Sequence, residues 1–311
     1  MSILSVCLFG NFTVHCGEQS LPNLNIQKVQ ELFSYLLLFR DRPHPRESLA
    51  NIFWWDNSTV QSKRYLRKTL WQLQTGLKAS GISPDNCFFI IKPDWIQLNP
   101  DVNIWLDVAK FEGIFNQIQG MQGRDLDQKQ VQILQQAIDL YQGDLLEGWY
   151  QDWCIYERER FQHIYFVMLD KMMGYCEAHQ YWEKGLVYGA IILRYEIARE
   201  RTHRRLMRLH YLAGDRTAAL RQYERCVAAL DEELAVKPAK RTVEIYEKIR
   251  KDQLIQGRLN HFESQIVPDV PSPHLNKVLV RLLTLNILLA EMQNQVSNVI
   301  QYLKSIQKKQ H

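Results

Sequence analysis

The 311-residue sequence lacks the residue patterns on which most enzymes and metal sites depend. Its six cysteines, Cys7, Cys16, Cys87, Cys154, Cys176 and Cys226, are scattered. No two have Cys-X-X-Cys spacing and no histidine cluster lies near one, which argues against a zinc site. There is no Gly-X4-Gly-Lys-Ser/Thr phosphate loop and no Gly-X-Gly-X-X-Gly turn opening a helix. A Gly-X-Ser-X-Gly elbow and a His-Glu-X-X-His helix are also missing. The nine histidines are dispersed. His203 and His210 could share a helix face, but no carboxylate or thiol cluster accompanies them, so they read as packing or surface residues. The expectation is a protein that is not an enzyme and uses no cofactor. No run of about eighteen uncharged apolar residues occurs, so no membrane partner is expected. The start lacks a basic segment ahead of an apolar run with a small-residue cleavage site, so no signal peptide is expected either. These absences predict a cytoplasmic protein with reduced thiols.

What is present is ordinary globular composition, 46% apolar and 23% charged, with a net charge of +4. That charge is mild, but its distribution is uneven. From Arg40 to Gln72 there are seven Lys or Arg and three acids, a difference of +4 that equals the excess of the whole chain.

Within that segment, Asn57 to Ser80 stands out. Leu66, Leu70, Leu73 and Leu77 fall within about 60° of each other on a helical wheel, a narrow apolar stripe. Gln61, Arg64, Lys68, Trp71, Gln72 and Thr75 fall opposite, with Arg67 on the flank. A solvated helix face would explain such charges by itself, so the neighbours decide. Before it, Ile3–Val14 reads as short strands broken at Gly10-Asn11, with a second turn at Cys16-Gly17. Lys28–Phe39 then reads as a helix stopped by Pro43 and Pro45. Arg46–Trp54 reads as a second helix with Leu49, Ile52 and Phe53 inward. Asp56-Asn57-Ser58 supplies candidate N-caps for the third, and Ser80-Gly81 a turn after it. Cys87–Ile91 and Trp95–Leu98 read as a hairpin around Lys92-Pro93-Asp94. Strands, three helices and a hairpin make a winged helix-turn-helix, in which the third helix enters the major groove and the hairpin touches backbone or minor groove, although a small strand-first α+β domain with no DNA role would share the pattern.

Four stretches carry a family resemblance: LFGNFTV, KVQELFSYLLLFRDRPHPRESLANIFWWD, SKRYLRKTLWQLQTGL and DWIQLNPDVNIWLDVAKFE. Together they resemble the winged-helix half of the bacterial antibiotic-regulatory (SARP, AfsR-like) activators. Asp94-Trp95-Ile96-Gln97-Leu98 stands where the antibiotic regulators have a Gly-Tyr-Arg-Leu wing signature, a departure at the wing.

Asp107 is expected to cap a helix to about Ile118. Gly120–Asp127 reads as a polar loop, and Gln130–Tyr141 as a helix with Val131, Leu134, Ala137, Ile138 and Tyr141 on one face. Gly143-Asp-Leu-Leu146, followed by Trp149, Trp153 and the charged Glu157–Arg160, resembles the start of the bacterial transcriptional activator domain. The two tryptophans are expected to seat the loop against the helices. Phe161–Arg250 reads as helical. Ala178–Leu186 lines up 34 residues on with Leu212–Leu220, the period of tetratricopeptide repeats, with Gly185 and Ala219 in the small-residue slot. Leu234-Ala-Val-Lys-Pro238 stands where the family has a Leu-Gly-Val-Glu-Pro step. The resemblance covers about residues 3 to 250.

Pro268, Pro271 and Pro273 mark a linker. Beyond it, Leu275, Leu282, Leu289, Val296 and Leu303 form one heptad series. Val278, Leu285, Met292, Val299 and Ile306 form the other. The seam fits either self-association or a helix folded back on the body.

The expected fold is mainly α. A winged helix-turn-helix of α+β type (residues 1–106) is followed by an all-α TPR-like activator domain (107–255), a linker (256–273) and a long C-terminal helix (274–311). The expected function is a sequence-specific DNA-binding transcription regulator and activator, a homo-oligomer on double-stranded DNA. Gln61, Arg64 and Lys68 are the candidates for base edges. Arg46, Lys63, Arg67 and Lys92 are the candidates for phosphates. The resemblance implies that the repeat half contacts RNA polymerase or another regulator. A TPR-type adaptor with weak or lost DNA binding, and a ligand-sensing regulator, are the alternatives. Trp71 is expected either at the sugar–phosphate backbone or packed on the repeat half.

Overall fold

The computed structural model describes residues 4–17, 19–20, 24–79 and 88–254. The heptad seam, the proline linker, Ser80-Gly81 and Cys87 lie outside them. Two units result, residues 1–238 and 239–311.

The first unit opens with β1 (Leu4–Cys7) and β2 (Thr13–Cys16), antiparallel and joined across Gly10. Gly10 has φ +75°, a left-handed turn that suits a residue with no Cβ. β3 (Gln19–Ser20) and β7 (Ile104–Leu106) complete a sheet in the order β3-β2-β1-β7, with β7 parallel to β1. On β1, Leu4 and Val6 are buried while Ser5 and Cys7 are less so, the alternation of a half-buried strand.

α1 (Gln27–Leu38) is buried around most of its circumference, which makes it the central post of the winged helix. Its buried Glu31 is paired with Lys28 at 2.7 Å. After β4 (His44–Pro45) come α2 (Arg46–Phe53) and α3 (Thr59–Ala79). β5 (Phe89–Ile91) and β6 (Trp95–Leu98) form the wing, and β4 joins them in a sheet ordered β4-β6-β5. Leu49 and Phe53 face inward as expected, but Ile52 does not, being 38% exposed. On an eight-residue helix, Leu49 and Phe53 share one stripe, and Ile52 falls beside it.

α4 (Asp107–Ile118) and α5 (Gln128–Leu140) follow, separated by a 3-10 turn at Gly123–Asp125. Asp127 caps α5 through a reciprocal capping box with Gln130. Asp107, expected to cap α4, does something else. Its Oδ2 accepts from the backbone N–H of Leu8 (2.7 Å) and Phe9 (2.8 Å), at the end of β1. It is the first residue of the helix rather than its cap, and it ties the two halves together. Burial pushes its carboxyl up, against the pull of the backbone N–H groups.

α6 (Asp152–Ala178), α7 (Trp182–Tyr195), α8 (Glu200–Leu212) and α9 (Arg216–Leu234) form two stacked helical hairpins. Gly185 does occupy a tight slot, where a Cβ would lie 3.0 Å from Leu209 Cδ1. Gly189, one turn on, is tighter, with Leu206 Cδ2 at 2.5 Å from that position. His203 is buried between the hairpin helices. Its Nε2 meets the Ile197 carbonyl at 2.7 Å and its Nδ1 meets Gln222 Nε2 at 2.8 Å. It is a packing histidine, neutral because burial lowers its pKa.

The winged helix and the repeats share one core. Phe9 bridges to Leu145, and Leu146 N–H donates to Leu8 O at 2.8 Å. The Phe9 ring lies 5.0 Å from Phe111, 4.8 Å from Tyr141 and 5.4 Å from Phe161. Trp153 reaches Tyr35 of α1 at 5.4 Å and Phe53 of α2 at 6.3 Å, and Trp149 reaches Phe12 at 6.2 Å. The two tryptophans, partly buried, therefore pack against the core, and their ring contacts reach the winged helix. Arg158 holds the loop above them, donating to the carbonyls of Leu145 (2.9 Å), Leu146 (2.8 Å) and Trp149 (2.9 Å).

The second unit is described by α10 (Lys240–Arg250). Arg250 pairs with Glu247 at 2.9 Å on that helix.

Candidate nucleic-acid interface

α3 is held from one side only. Ser62, Leu66, Thr69, Leu70, Leu73 and Leu77 are buried, so the leucine stripe seals against α1 and α2. The start is fixed by Ser62, whose hydroxyl donates to Trp54 O at 2.9 Å and Ser58 O at 3.1 Å. That bond also sets the five-residue turn from Trp54 to Ser58, and so the angle at which α3 leaves α2.

The opposite edge is open. Gln61, Arg64, Arg67, Lys68, Trp71 and Thr75 are exposed, and Gln72 is half-buried. The three residues expected at base edges, Gln61, Arg64 and Lys68, are thus brought onto one solvent-facing line of one helix. A cleft of about 750 Å³ runs along its flank. Pro45, Arg46 and Glu47 from the start of α2 line it, with Lys63 and Arg67 from α3 and Pro93 and Asp94 from the wing tip.

The wing is anchored there. Lys92 N–H donates to Trp95 O at 2.9 Å, closing the turn, and Arg46 N–H donates to Asp94 O at 2.9 Å, fastening α2 to it. Three of the four phosphate candidates, Arg46, Lys63 and Arg67, line the cleft, and Lys92 is exposed at its wing end.

Lys63 has a competitor, because Glu47 accepts from its Nζ at 2.5 Å. The ammonium holds the Glu47 carboxyl below its usual range. The pair is open to water and therefore weak, so a phosphate can replace the carboxylate.

Two of the seven cations of the basic segment are not at this edge. Arg40 reaches Glu112 of α4 at 2.7 Å, in a chain that continues from Glu112 to Arg160 at 2.8 Å. Arg42 lies over the Phe39 ring at 5.5 Å. The local charge excess at the helix edge is smaller than the segment total suggests, and part of it joins the two halves. Sequence reading also missed Asp107 as a joining residue and Arg158 as the holder of the Leu145–Trp149 loop, because each acts on backbone groups that no spacing rule connects to it.

Among the described residues no group of three or more His, Cys, Asp or Glu is placed to hold a metal ion. No described helix is long and apolar enough to cross a membrane.

A family model, the bacterial transcriptional activator domain, matches the chain from residue 106 to residue 250. That match covers just under half of the chain. It begins at the end of β7 and runs to the end of α10. A winged helix lies ahead of the matched residues. A solved structure, that of Mycobacterium tuberculosis EmbR in complex with a low affinity phosphopeptide, matches over 81% of this chain with a TM-score of 0.66. At 17% identity that likeness shows the fold, mainly helical with a strand-containing N-terminal region and a helical repeat domain. The chain spans 66% of the length of the EmbR chain. No curated protein matches the sequence.

Proposed function

We propose that this chain is a sequence-specific DNA-binding transcription regulator, an activator that reads double-stranded DNA with α3. The observation that carries the reading is the one-sided helix: a sealed leucine stripe behind and an exposed Gln61–Arg64–Lys68 line in front. Arg64 and Lys68 suit the O6/N7 edge of guanine, and the Gln61 amide suits adenine. Arg46, Lys63, Arg67 and Lys92 surround the cleft beside that line and suit the phosphates of one strand. The activator domain supports a role in raising transcription, with RNA polymerase or another regulator as its protein partner. The heptad residues Leu275 to Ile306 are proposed to bring copies of the chain together on neighbouring sites.

Fluorescence anisotropy on a labelled duplex tests the assignment. Arg64→Ala is expected to cost about 1–3 kcal/mol on the preferred sequence and to relax preference at one position. Arg67→Ala is expected to weaken all duplexes alike and to lower the salt slope by about one. Equal loss on every sequence in Arg64→Ala would move Arg64 to the backbone set.

A further inference from the structure

Trp71 is 64% exposed on the open edge of α3, so it does not pack on the repeat half. A single exposed ring is not unusual on a protein surface, and Val60 and Tyr65 of the same helix are exposed too, so exposure alone assigns Trp71 nothing. Its surroundings identify what would cover it. Arg67 and Lys68 stand one turn before it, Arg64 two turns before it and Thr75 one turn after it, all exposed. A protein-docking patch would continue with apolar neighbours, whereas this ring is set among cations, which suits a polyanion.

Its place along the helix narrows the contact. At a rise of 1.5 Å per residue, Gln61 to Lys68 covers about 10 Å of axis, against a major groove about 12 Å wide. Trp71 comes about 5 Å beyond Lys68, where a helix entering by its N-terminal half meets the rim of the groove. The group at the rim is the sugar–phosphate backbone. An indole suits both parts of it, with its Nε1–H a donor for a phosphate oxygen and its face an apolar surface for deoxyribose.

We infer that Trp71 is a backbone-contacting residue that fixes how deeply α3 sits in the major groove. The inference rests on the DNA-binding reading above. The contact is uncharged, so it adds affinity without releasing a counterion. It therefore leaves a signature different from that of Arg67.

The test compares Trp71→Ala and Trp71→Phe with the full-length wild-type chain on a preferred duplex and a scrambled one, at several salt concentrations. Trp71→Ala is expected to lose about tenfold in affinity on both duplexes, the scale of one good hydrogen bond. Its salt slope and its melting temperature are expected to match wild type, since the side chain is exposed. Trp71→Phe keeps the ring face and is expected to lose less. The tryptophan emission that wild type has in excess of Trp71→Phe is expected to change when duplex is added. Wild type that binds neither duplex would overturn the DNA reading, and this inference with it. Wild type that binds while Trp71→Ala binds equally well would overturn this inference alone. Altered preference at one base pair in Trp71→Ala would also overturn it, making Trp71 a base reader.

Discussion

At the scale of single residues, the side chains that could meet DNA were easier to read than those that hold the fold. Gln61, Arg64 and Lys68 are exposed because the helix period puts them opposite Leu66, Leu70, Leu73 and Leu77, and periodicity is visible in any sequence. Asp107 and Arg158 were not legible in these roles. Asp107 accepts from Leu8 and Phe9, 99 and 98 residues earlier, and Arg158 donates to carbonyls of its own preceding loop. Such contacts depend on tertiary placement. Arg40 shows the reverse error of simple counting, since charge summed along a segment takes no account of a partner such as Glu112.

The buried histidines make a residue-scale prediction. Burial lowers the pKa of His203 and of His44 from the usual 6.5. The unfolded chain then takes up protons at a pH where the folded chain does not, so stability is full above 6.5 and is lost as pH falls below it. Thermal unfolding is expected to show a falling melting temperature from about pH 7 to about pH 5. His203→Gln, with no group to titrate, is expected to give a shallower fall. A melting temperature that holds or rises over that interval would contradict the account.

At the scale of elements, the long helices, the wing and the first two strands were legible, and β3, β4 and β7 were not. α3 has an apolar stripe of three turns, from Leu66 to Leu77. The Lys92-Pro93-Asp94 turn marks a hairpin by composition alone. β3, β4 and β7 have only two or three residues each, and β7 pairs in parallel with β1 from the far end of the winged helix. Two or three residues hold no period, so such strands emerge only from their partners.

One element-scale prediction concerns the end of α9. Ala235 closes that helix in the left-handed region, at φ 52° and ψ 37°. The Leu-Gly-Val-Glu-Pro step that this stretch resembles has glycine there, the residue that pays least for this conformation. Ala235→Gly is expected to stabilise the chain by about 0.5–1 kcal/mol in urea unfolding, the strain relieved less the extra freedom of the unfolded glycine. Destabilisation by a similar amount would mean that the Ala235 methyl contributes more by packing than its backbone costs.

At the scale of the molecule, the winged helix and the repeats of residues 1–238 act as one body. Phe9, Phe111, Tyr141 and Phe161 form a single aromatic cluster across them, and Trp153 lies against α1 and α2 from the repeat side. Strand pairing at Phe9–Leu145 and the Asp107 clamp add backbone restraints at the same junction. This shared core was not legible, because a sequence divided by motif gives each half its own interior. Its consequence is that the surface offered by the repeats is carried at a fixed orientation to α3, and under the proposed function to any DNA that α3 reads. A partner recruited by the activator domain would then be presented at a fixed position relative to the bound site.

The central claim is sequence-specific reading of duplex DNA by α3. Selection of bound sequences from a random duplex pool at near-physiological salt tests it most directly, with the full chain and with a chain lacking residues 274–311 run in parallel. The account predicts one enriched motif for the full chain, present as two copies at a fixed spacing, and the same motif as a single copy for the shortened chain. A pool that emerges without an enriched motif, at salt where binding is retained, would contradict it.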